Sequence, residues 1–84
     1  MYAVNKVTRN LGLAIRYVRK KKDISMYEVA EKCNITPNAI SYIETGKASE
    51  VKLGRVLDIC NALDISIEEL VYLCEKQENF CYGE

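Results

Sequence analysis

The sequence predicts an all-α fold, a compact domain of five short helices. Apolar residues recur at the three- and four-residue intervals of a helix, and no stretch alternates apolar with polar residues as a half-buried strand does. Capping signals, in which a serine precedes a glutamate by three residues, stand ahead of two apolar runs. The chain has 84 residues, 49% of them hydrophobic and one of them proline, which suits a single ordered domain with a thin core.

The first helix is predicted from Leu11 to Lys22. Leu11, Ile15 and Val18 recur at i, i+4 and i+7, and basic residues fill the other face. Residues 1–9 are interpreted as an N-terminal arm or as a first turn of this helix.

Ser25 and Glu28 form a capping box, which predicts a second helix from Met26 to about Cys33. Asn34 follows, and asparagine tolerates the left-handed backbone at a helix exit. The second helix is therefore short, with both of its ends marked.

Thr36 is the next N-cap candidate, and Pro37 fits the first helical position because an N–H group is not needed there. The third helix is predicted to extend to about Glu44 and to stop near Gly46. Three residues therefore separate the second helix from the third.

A fourth helix is predicted to begin after Ser49, and a fifth to cover residues 67–77 behind a capping box of Ser66 and Glu69. Five side chains are expected on the inner face of the fourth helix: Leu53, Val56, Leu57, Cys60 and Leu63. The chain then divides into a helical domain at residues 10–77 and a C-terminal tail at residues 78–84.

The charges are unevenly distributed along the chain. Twelve basic and twelve acidic residues give a formal net charge of zero, yet residues 1–22 carry +7 and residues 64–84 carry −5. This polarity indicates one face that attracts a polyanion and an opposite face that avoids it. A simpler interpretation is a solvated helix end, because the bases at 20–22 also suit the negative C-terminus of the first helix.

Four cysteines, Cys33, Cys60, Cys74 and Cys81, are separated by 27, 14 and 7 residues. Structural zinc sites usually place two cysteines about two to four residues apart. We therefore expect buried thiols that act as small hydrophobic side chains, with Cys81 exposed in the tail. Neither a metal nor a cofactor is expected.

The composition argues against an enzyme and against a membrane protein. Histidine, the commonest general base at neutral pH, is absent, and the sequence holds no glycine-rich phosphate loop. No apolar stretch approaches the roughly 20 residues that span a bilayer, and no secretion signal opens the chain. We expect a cytoplasmic protein.

The segment from Ser25 to Gly46 predicts a helix-turn-helix, because a three-residue connection between two short helices forces a steep crossing. Ile40 and Ile43 turn one side of the third helix into the core. Four side chains remain on its outer face: Asn38, Ala39, Tyr42 and Thr45. Asparagine can pair with adenine in the major groove, and methyl groups can meet the thymine methyl. The alternative is an ordinary polar surface.

Several stretches carry a family resemblance: Leu11-Gly12, Ile15-Arg16, Val18-Arg19, Ile24-Ser25, Glu28 to Lys32, Ile40 to Lys47, Ile59 to Leu63 and Ile67 to Leu70. In these stretches the chain resembles the Cro/C1-type (XRE-like) helix-turn-helix family, which includes small phage repressors and restriction-modification controller proteins. The resemblance implies a lambda-repressor-like fold of five helices, DNA binding through the third helix, and transcriptional control as a dimer.

The resemblance also implies roles for individual residues. The base-reading positions are Pro37, Asn38, Ala39 and Tyr42. The positions that touch phosphates are Ser25, Met26, Thr36, Thr45 and Lys47. An ion pair that ties the first helix to the end of the third falls on Arg19 and Glu44. Two residues depart from the family pattern, since Met26 stands where many members have glutamine, and Pro37 offers no hydrogen-bond donor.

The fifth helix carries a wider apolar arc than packing on one neighbour requires, roughly 160° at about 100° per residue. We therefore expect a homodimer that binds a palindromic operator in double-stranded DNA. Its interface is expected at Val71, Tyr72, Leu73 and Phe80. In a competing interpretation the tail folds back over this surface. A competing function is a protein-interaction module, such as an antitoxin or the partner of a regulator, because zero net charge weakens nonspecific DNA binding.

Overall fold

The computed structural model describes the backbone of residues 2–48 and 50–76, and the side chains of residues 8–48 and 50–76. This part of the chain forms five α-helices and no strand. The helices are α1 (Tyr2–Lys21), α2 (Met26–Cys33), α3 (Pro37–Glu44), α4 (Leu53–Leu63) and α5 (Ile67–Glu75). The predicted all-α architecture is confirmed.

The first helix is longer than the sequence pattern predicted, since it begins at Tyr2 and not at Leu11. Val4, Val7 and Leu11 are spaced i, i+3 and i+7, so the apolar stripe of α1 continues backward in helical register. Polar residues between them interrupt this spacing in the sequence. The segment at 2–9 is therefore part of α1.

Short-range capping sets the ends of the other helices. The Ser25 Oγ accepts the Glu28 N–H at 3.1 Å, and the Ser25 N–H donates to the Glu28 carboxylate at 2.9 Å, which completes the capping box. At α5 the Ser66 Oγ accepts the Glu69 N–H at 3.0 Å. Within the described residues the reciprocal carboxylate bond is formed only at α2, so the second predicted box is half made.

The predicted inner face of α4 is partly wrong. Leu53 and Leu57 are 67% and 42% exposed, and the helix begins at Leu53, later than expected. The buried side is centred on Ile59, and at about 100° per residue Leu57 lies roughly 160° away from it. The five buried residues of α4 are Val56, Ile59, Cys60, Ala62 and Leu63.

One core joins all five helices. Its largest fully buried side chains are Ile15 of α1, Val29 of α2, Ile40 of α3, Ile59 and Leu63 of α4, and Leu70 of α5. α1 packs along both α3 and α5, while α2 packs on α3 and α4. The helix-turn-helix thus rests on α1 from one side and on α4 from the other.

The cysteines of the core are free thiols. Cys33 and Cys60 are buried and Cys74 is half-buried, which confirms the packing interpretation of the first two. Burial raises the pKa of Cys33 and of Cys60, and burial with the nearby Cys60 and Glu75 raises the pKa of Cys74 to about 11. These thiols are therefore protonated at neutral pH. Cys81 lies outside the described residues, and the described part holds no cluster of possible metal ligands.

Lys22 caps the C-terminus of α4. Its Nζ donates to the carbonyl oxygens of Leu63 at 2.8 Å and Asp64 at 2.9 Å, where Asp64 has a left-handed backbone with φ 59°. This cation therefore stabilises the end of α4, while Lys20 and Lys21 lie in the last turn of α1, as the sequence pattern predicted. The end of the basic first segment therefore lies beside the start of the acidic last segment.

Candidate nucleic-acid interface

The turn between α2 and α3 is fully specified by its three residues. Asn34 takes the left-handed conformation with φ 59°, and the Ile35 N–H donates to the Ala30 carbonyl at 3.0 Å. Ile35 packs against the core, and the Thr36 Oγ1 accepts the Ala39 N–H at 3.2 Å. The steep crossing of a helix-turn-helix follows from this short, hydrogen-bonded connection.

α3 has two sharply different sides. Ile40, Ile43 and Glu44 are buried. On the opposite side Asn38 is exposed and Tyr42 is 54% exposed. Pro37 and Ala39 are half-buried and flank this outer row. The predicted base-reading residues therefore share the first two turns of α3, with Asn38 and Tyr42 most open to a ligand.

The N-termini of α2 and α3 carry several of the predicted phosphate positions. Ser25 and Thr36 are exposed N-caps that accept the Glu28 and Ala39 N–H groups. Pro37 has no N–H, so the first-turn donors that these caps leave are those of Met26 and Tyr27 in α2 and of Asn38 in α3. Met26 is half-buried against the core, so it offers its backbone N–H rather than its side chain. Two helix starts thus present backbone donors, the groups that suit phosphate oxygens.

Thr45 and Lys47 follow the end of α3. The Thr45 Oγ1 donates to the Ser41 carbonyl at 2.9 Å and lies 3.3 Å from the Tyr42 carbonyl. Its hydroxyl proton is therefore used inside the helix, and a phosphate contact would require the hydroxyl to rotate. The side chain of Lys47 is exposed beyond the left-handed Gly46, whose φ is 75°. Lys47 is the better placed of the two for an anion.

Arg19 and Glu44 join α1 to the end of α3. The Arg19 Nε donates to the Glu44 Oε2 at 2.7 Å and the Nη2 donates to the Oε1 at 3.0 Å, a two-pronged pairing. The Nη1 donates to the Ile24 carbonyl at 3.1 Å. The two side chains are only 10% and 4% exposed. This pair lies behind the outer row of α3 and fixes its direction.

A family model described as helix-turn-helix matches residues 15–70, more than half of the chain. The chain belongs to this helix-turn-helix family. It is a DNA-binding transcriptional regulator of the XRE type, as the sequence resemblance predicted. The matched range includes α2, the turn, α3 and both partners of the Arg19–Glu44 pair.

Solved structures with the same fold include two crystal structures of the clp gene regulator ClgR from Corynebacterium glutamicum. One is 27% identical with a TM-score of 0.81, covering 84% of this chain and 91% of ClgR. The other is 26% identical with a TM-score of 0.82, covering 87% and 77%. A mutant of the restriction-modification controller protein C.Esp1396I is 20% identical with a TM-score of 0.79, covering 87% and 94%. That last likeness shows the shared fold alone.

A curated relative of different length also matches this helix-turn-helix protein. It is a glutamine–fructose-6-phosphate aminotransferase from Methanocaldococcus jannaschii, 30% identical over 71 residues. The match covers 84% of this chain but only 6% of that enzyme, so the likeness concerns a small segment of a much longer protein. In the described part of this chain, no helix has the length and apolar character to cross a bilayer.

Replacing either partner of the ion pair should destabilise the domain. We expect Arg19→Met and Glu44→Leu each to lower the free energy of unfolding by about 3–5 kcal/mol, because each leaves a buried charge unpaired. The double variant should lose much less than the sum, since no charge remains buried. Urea unfolding of all four proteins measures this coupling.

Arg16→Met is the matched control, because Arg16 is exposed on the same helix. Its unfolding free energy should stay within about 0.5 kcal/mol of the wild-type value. Additive losses in the Arg19 and Glu44 double variant would show that the two side chains do not stabilise each other.

Proposed function

We propose that this regulator is a repressor that binds a palindromic operator as a homodimer, with α3 of each copy in the major groove. The observation that carries the proposal is the outer row of α3. Asn38 and Tyr42 are exposed on a helix that the buried Arg19–Glu44 pair holds from behind. An uncharged row of amide, hydroxyl and methyl groups suits base edges, which are read by hydrogen bonds and apolar contacts.

Asn38 is the principal base reader in this proposal. It lies in the first turn of α3, and the N-terminal residues of a recognition helix are those that reach base edges. Its amide can pair with adenine in two hydrogen bonds. Tyr42 follows one turn later on the same side, while Pro37 and Ala39 contribute shape and methyl contacts beside it.

Phosphate contacts would hold α3 in register. Ser25 and Met26 lie at the N-terminus of α2 and Thr36 at that of α3, and backbone N–H groups at such ends favour phosphate. Lys47 supplies a cation beyond the end of α3, and Thr45 supplies a hydroxyl once it rotates away from the Ser41 carbonyl. These contacts orient the domain on the duplex and carry no sequence information themselves.

The dimer in this proposal forms through α5. Leu70 is buried, while Ile67, Leu73 and Cys74 are half-buried against the core of the same chain. Val71 and Tyr72 remain 48% and 57% exposed and supply the contact surface. Phe80, also expected at this interface, lies outside the described residues.

The size of the domain supports this arrangement. It measures 30 × 24 × 24 Å, and operator half-sites repeat about every 34 Å, one turn of B-DNA. Two copies placed side by side would therefore each cover about one half-site of such an operator. Repression would follow from occupancy, because a bound dimer excludes RNA polymerase from the same DNA.

In vitro selection from random duplex DNA, followed by binding at two salt concentrations, tests the proposal as a whole. An enriched inverted repeat and a steep fall of affinity with salt are expected. A transcription assay on a promoter that overlaps the selected site tests repression. Binding without an enriched sequence or a salt dependence would favour the competing protein-interaction module.

Asn38→Ala should weaken sequence discrimination at one base pair in each half-site. The loss of the amide should cost about 1–3 kcal/mol at that position, with fold and dimer unchanged. Binding to a panel of single-base operator variants measures it. Asn61→Ala, a matched change at an exposed position of α4, should leave the panel unaltered. If Asn38→Ala discriminates among the operator variants as wild type does, α3 does not read the bases in the way proposed.

Lys47→Ala should weaken binding to all sequences about equally, because a phosphate contact does not depend on the base. The slope of log affinity against log salt should fall by about one unit. Lys21→Ala is the control, since the Lys21 ammonium lies over the Tyr17 ring at 5.7 Å and α1 ends there. Equal slopes for Lys47→Ala and wild type would assign Lys47 to solubility alone.

Val71→Glu should give a folded monomer with much weaker operator binding, because each half-site must then bind alone. Sedimentation at micromolar concentration and circular dichroism measure assembly and folding. Leu53→Glu is the control, as Leu53 is an exposed apolar residue on α4, and it should remain dimeric. Dissociation by Leu53→Glu and not by Val71→Glu would place the interface on α4. A wild-type species of 9.6 kDa under the same conditions would exclude the dimer.

A further inference from the structure

Gly12 lies where the backbone of α1 comes closest to α3. It belongs to a face of α1 that repeats at i, i+4, i+7 and i+11 through Thr8, Gly12, Ile15 and Arg19, all of them buried. A Cβ atom at Gly12 would overlap the Ile43 carbonyl oxygen and lie 2.9 Å from the Glu44 carbonyl oxygen. Glycine therefore permits an approach that a side chain of any size would prevent.

The carbonyl groups that Gly12 approaches belong to the last turn of α3. The same turn holds the Glu44 carboxylate, which binds Arg19 two turns further along α1. Just beyond it, a Cβ atom on Gly46 would lie 3.4 Å from the Cα atom of Arg9. This end of α3 is therefore held at three positions along α1. Arg9 packs against Gly46, Gly12 packs against the Ile43 and Glu44 carbonyls, and Arg19 binds the Glu44 carboxylate.

Gly12 is also unfavourable for α1 taken alone, since glycine within a helix costs conformational entropy that alanine does not. Gly54 shows the contrast. It lies in α4, and a Cβ atom there would meet nothing within 4 Å. Packing against α3 therefore explains glycine at position 12, and no such contact is made at position 54.

We propose that Gly12 is a positioning residue for base reading, which sets how closely α3 lies against α1 and hence where Asn38 and Tyr42 stand. The inference rests on the proposed reading of operator bases by α3. A methyl group at position 12 has rigid backbone on its far side, so α3 must move by about an ångström, more than the ~0.5 Å that a binding site tolerates. Hydrogen bonds to bases are directional, whereas the flexible stem of Lys47 can follow a phosphate.

The test compares Gly12→Ala with Gly54→Ala and wild type. The probes are the operator selected with the wild-type chain and random-sequence duplex DNA of the same length. For Gly12→Ala we expect operator affinity per folded molecule to fall by about tenfold or more, with affinity for random DNA within about twofold of wild type. Gly54→Ala should match wild type on both probes, with an equal or higher melting temperature.

Gly12→Ala could bind less operator because less of it is folded or because α3 is displaced. Dividing each affinity by the folded fraction distinguishes the two causes. Trimethylamine N-oxide is added where needed, because it favours the compact state. Backbone amide shifts should change along α3 and Gly12 and stay close to wild type in α4 and α5. Equal operator affinity would overturn the inference, and so would an equal loss on both probes. Failure of Gly12→Ala to fold even with the osmolyte would also overturn it, since Gly12 would then serve the whole fold.

The selection experiment with the wild-type chain distinguishes a failure of the proposed function from a failure of the inference about Gly12. If selection with wild type enriches no sequence, the proposed function fails and the inference fails with it. If a sequence is enriched and Gly12→Ala binds it as wild type does, only the inference about Gly12 fails.

Discussion

The contact on which the rest of the structure depends is the buried guanidinium of Arg19. It binds both carboxylate oxygens of Glu44 and the carbonyl of Ile24, so it joins the end of α1, the turn before α2 and the last residue of α3. A charge with so little contact with water is stable only while its partners stay in place. α2 and α3 have eight residues each, and helices of that length do not persist alone in water. Arg19 therefore helps to hold two marginal helices in one arrangement.

The division of α3 into two faces follows from this anchoring. Ile40 and Ile43 pack in the core and Glu44 binds Arg19, whereas Asn38 is exposed and Tyr42 is 54% exposed on the other side. Side chains that lie mostly outside the core are available to contact a ligand. The hydrogen bonds at Thr36 and the turn fix the start of α3 just as Arg19 fixes its end, so the free row is presented on a helix held at both ends.

The helix ends that are set by short-range hydrogen bonds were predicted correctly from the sequence. The bounds of α2 and α3 follow from Ser25, Thr36 and Asn34, whose bonds span three or four residues, and the sequence pattern placed these helices correctly. The buried side of α4 was not predictable in the same way, because it depends on where α2 and α5 lie, and so Leu53 and Leu57 were placed on the wrong face. The apolar spacing of α1 is interrupted by polar residues before Leu11, so the pattern placed its beginning too late.

Long-range contacts were the least visible in the sequence. Lys22 reaches carbonyls 41 and 42 residues away, and nothing in its neighbourhood distinguishes it from Lys20 and Lys21. Of the residues that position α3, the family resemblance supplied Arg19 and Glu44. Gly12 is part of the same resemblance, but its close approach to the Ile43 and Glu44 carbonyls is visible only once α1 and α3 are packed.

The distribution of charge over the fold affects how strongly the domain attracts a polyanion. Lys22 donates to the carbonyl oxygens of Leu63 and Asp64, so one cation of the basic segment closes the end of α4, while the acidic residues of the chain bring the net charge to zero. The long-range attraction to a polyanion is weaker than +7 on the first 22 residues would give. In the proposed function, phosphate contacts strengthen binding to every sequence about equally, so they do not select one site. The preference for a particular site would come from the geometry of α3 and from the joining of two half-sites, so the residues that fix α3 would matter as much as those that touch DNA.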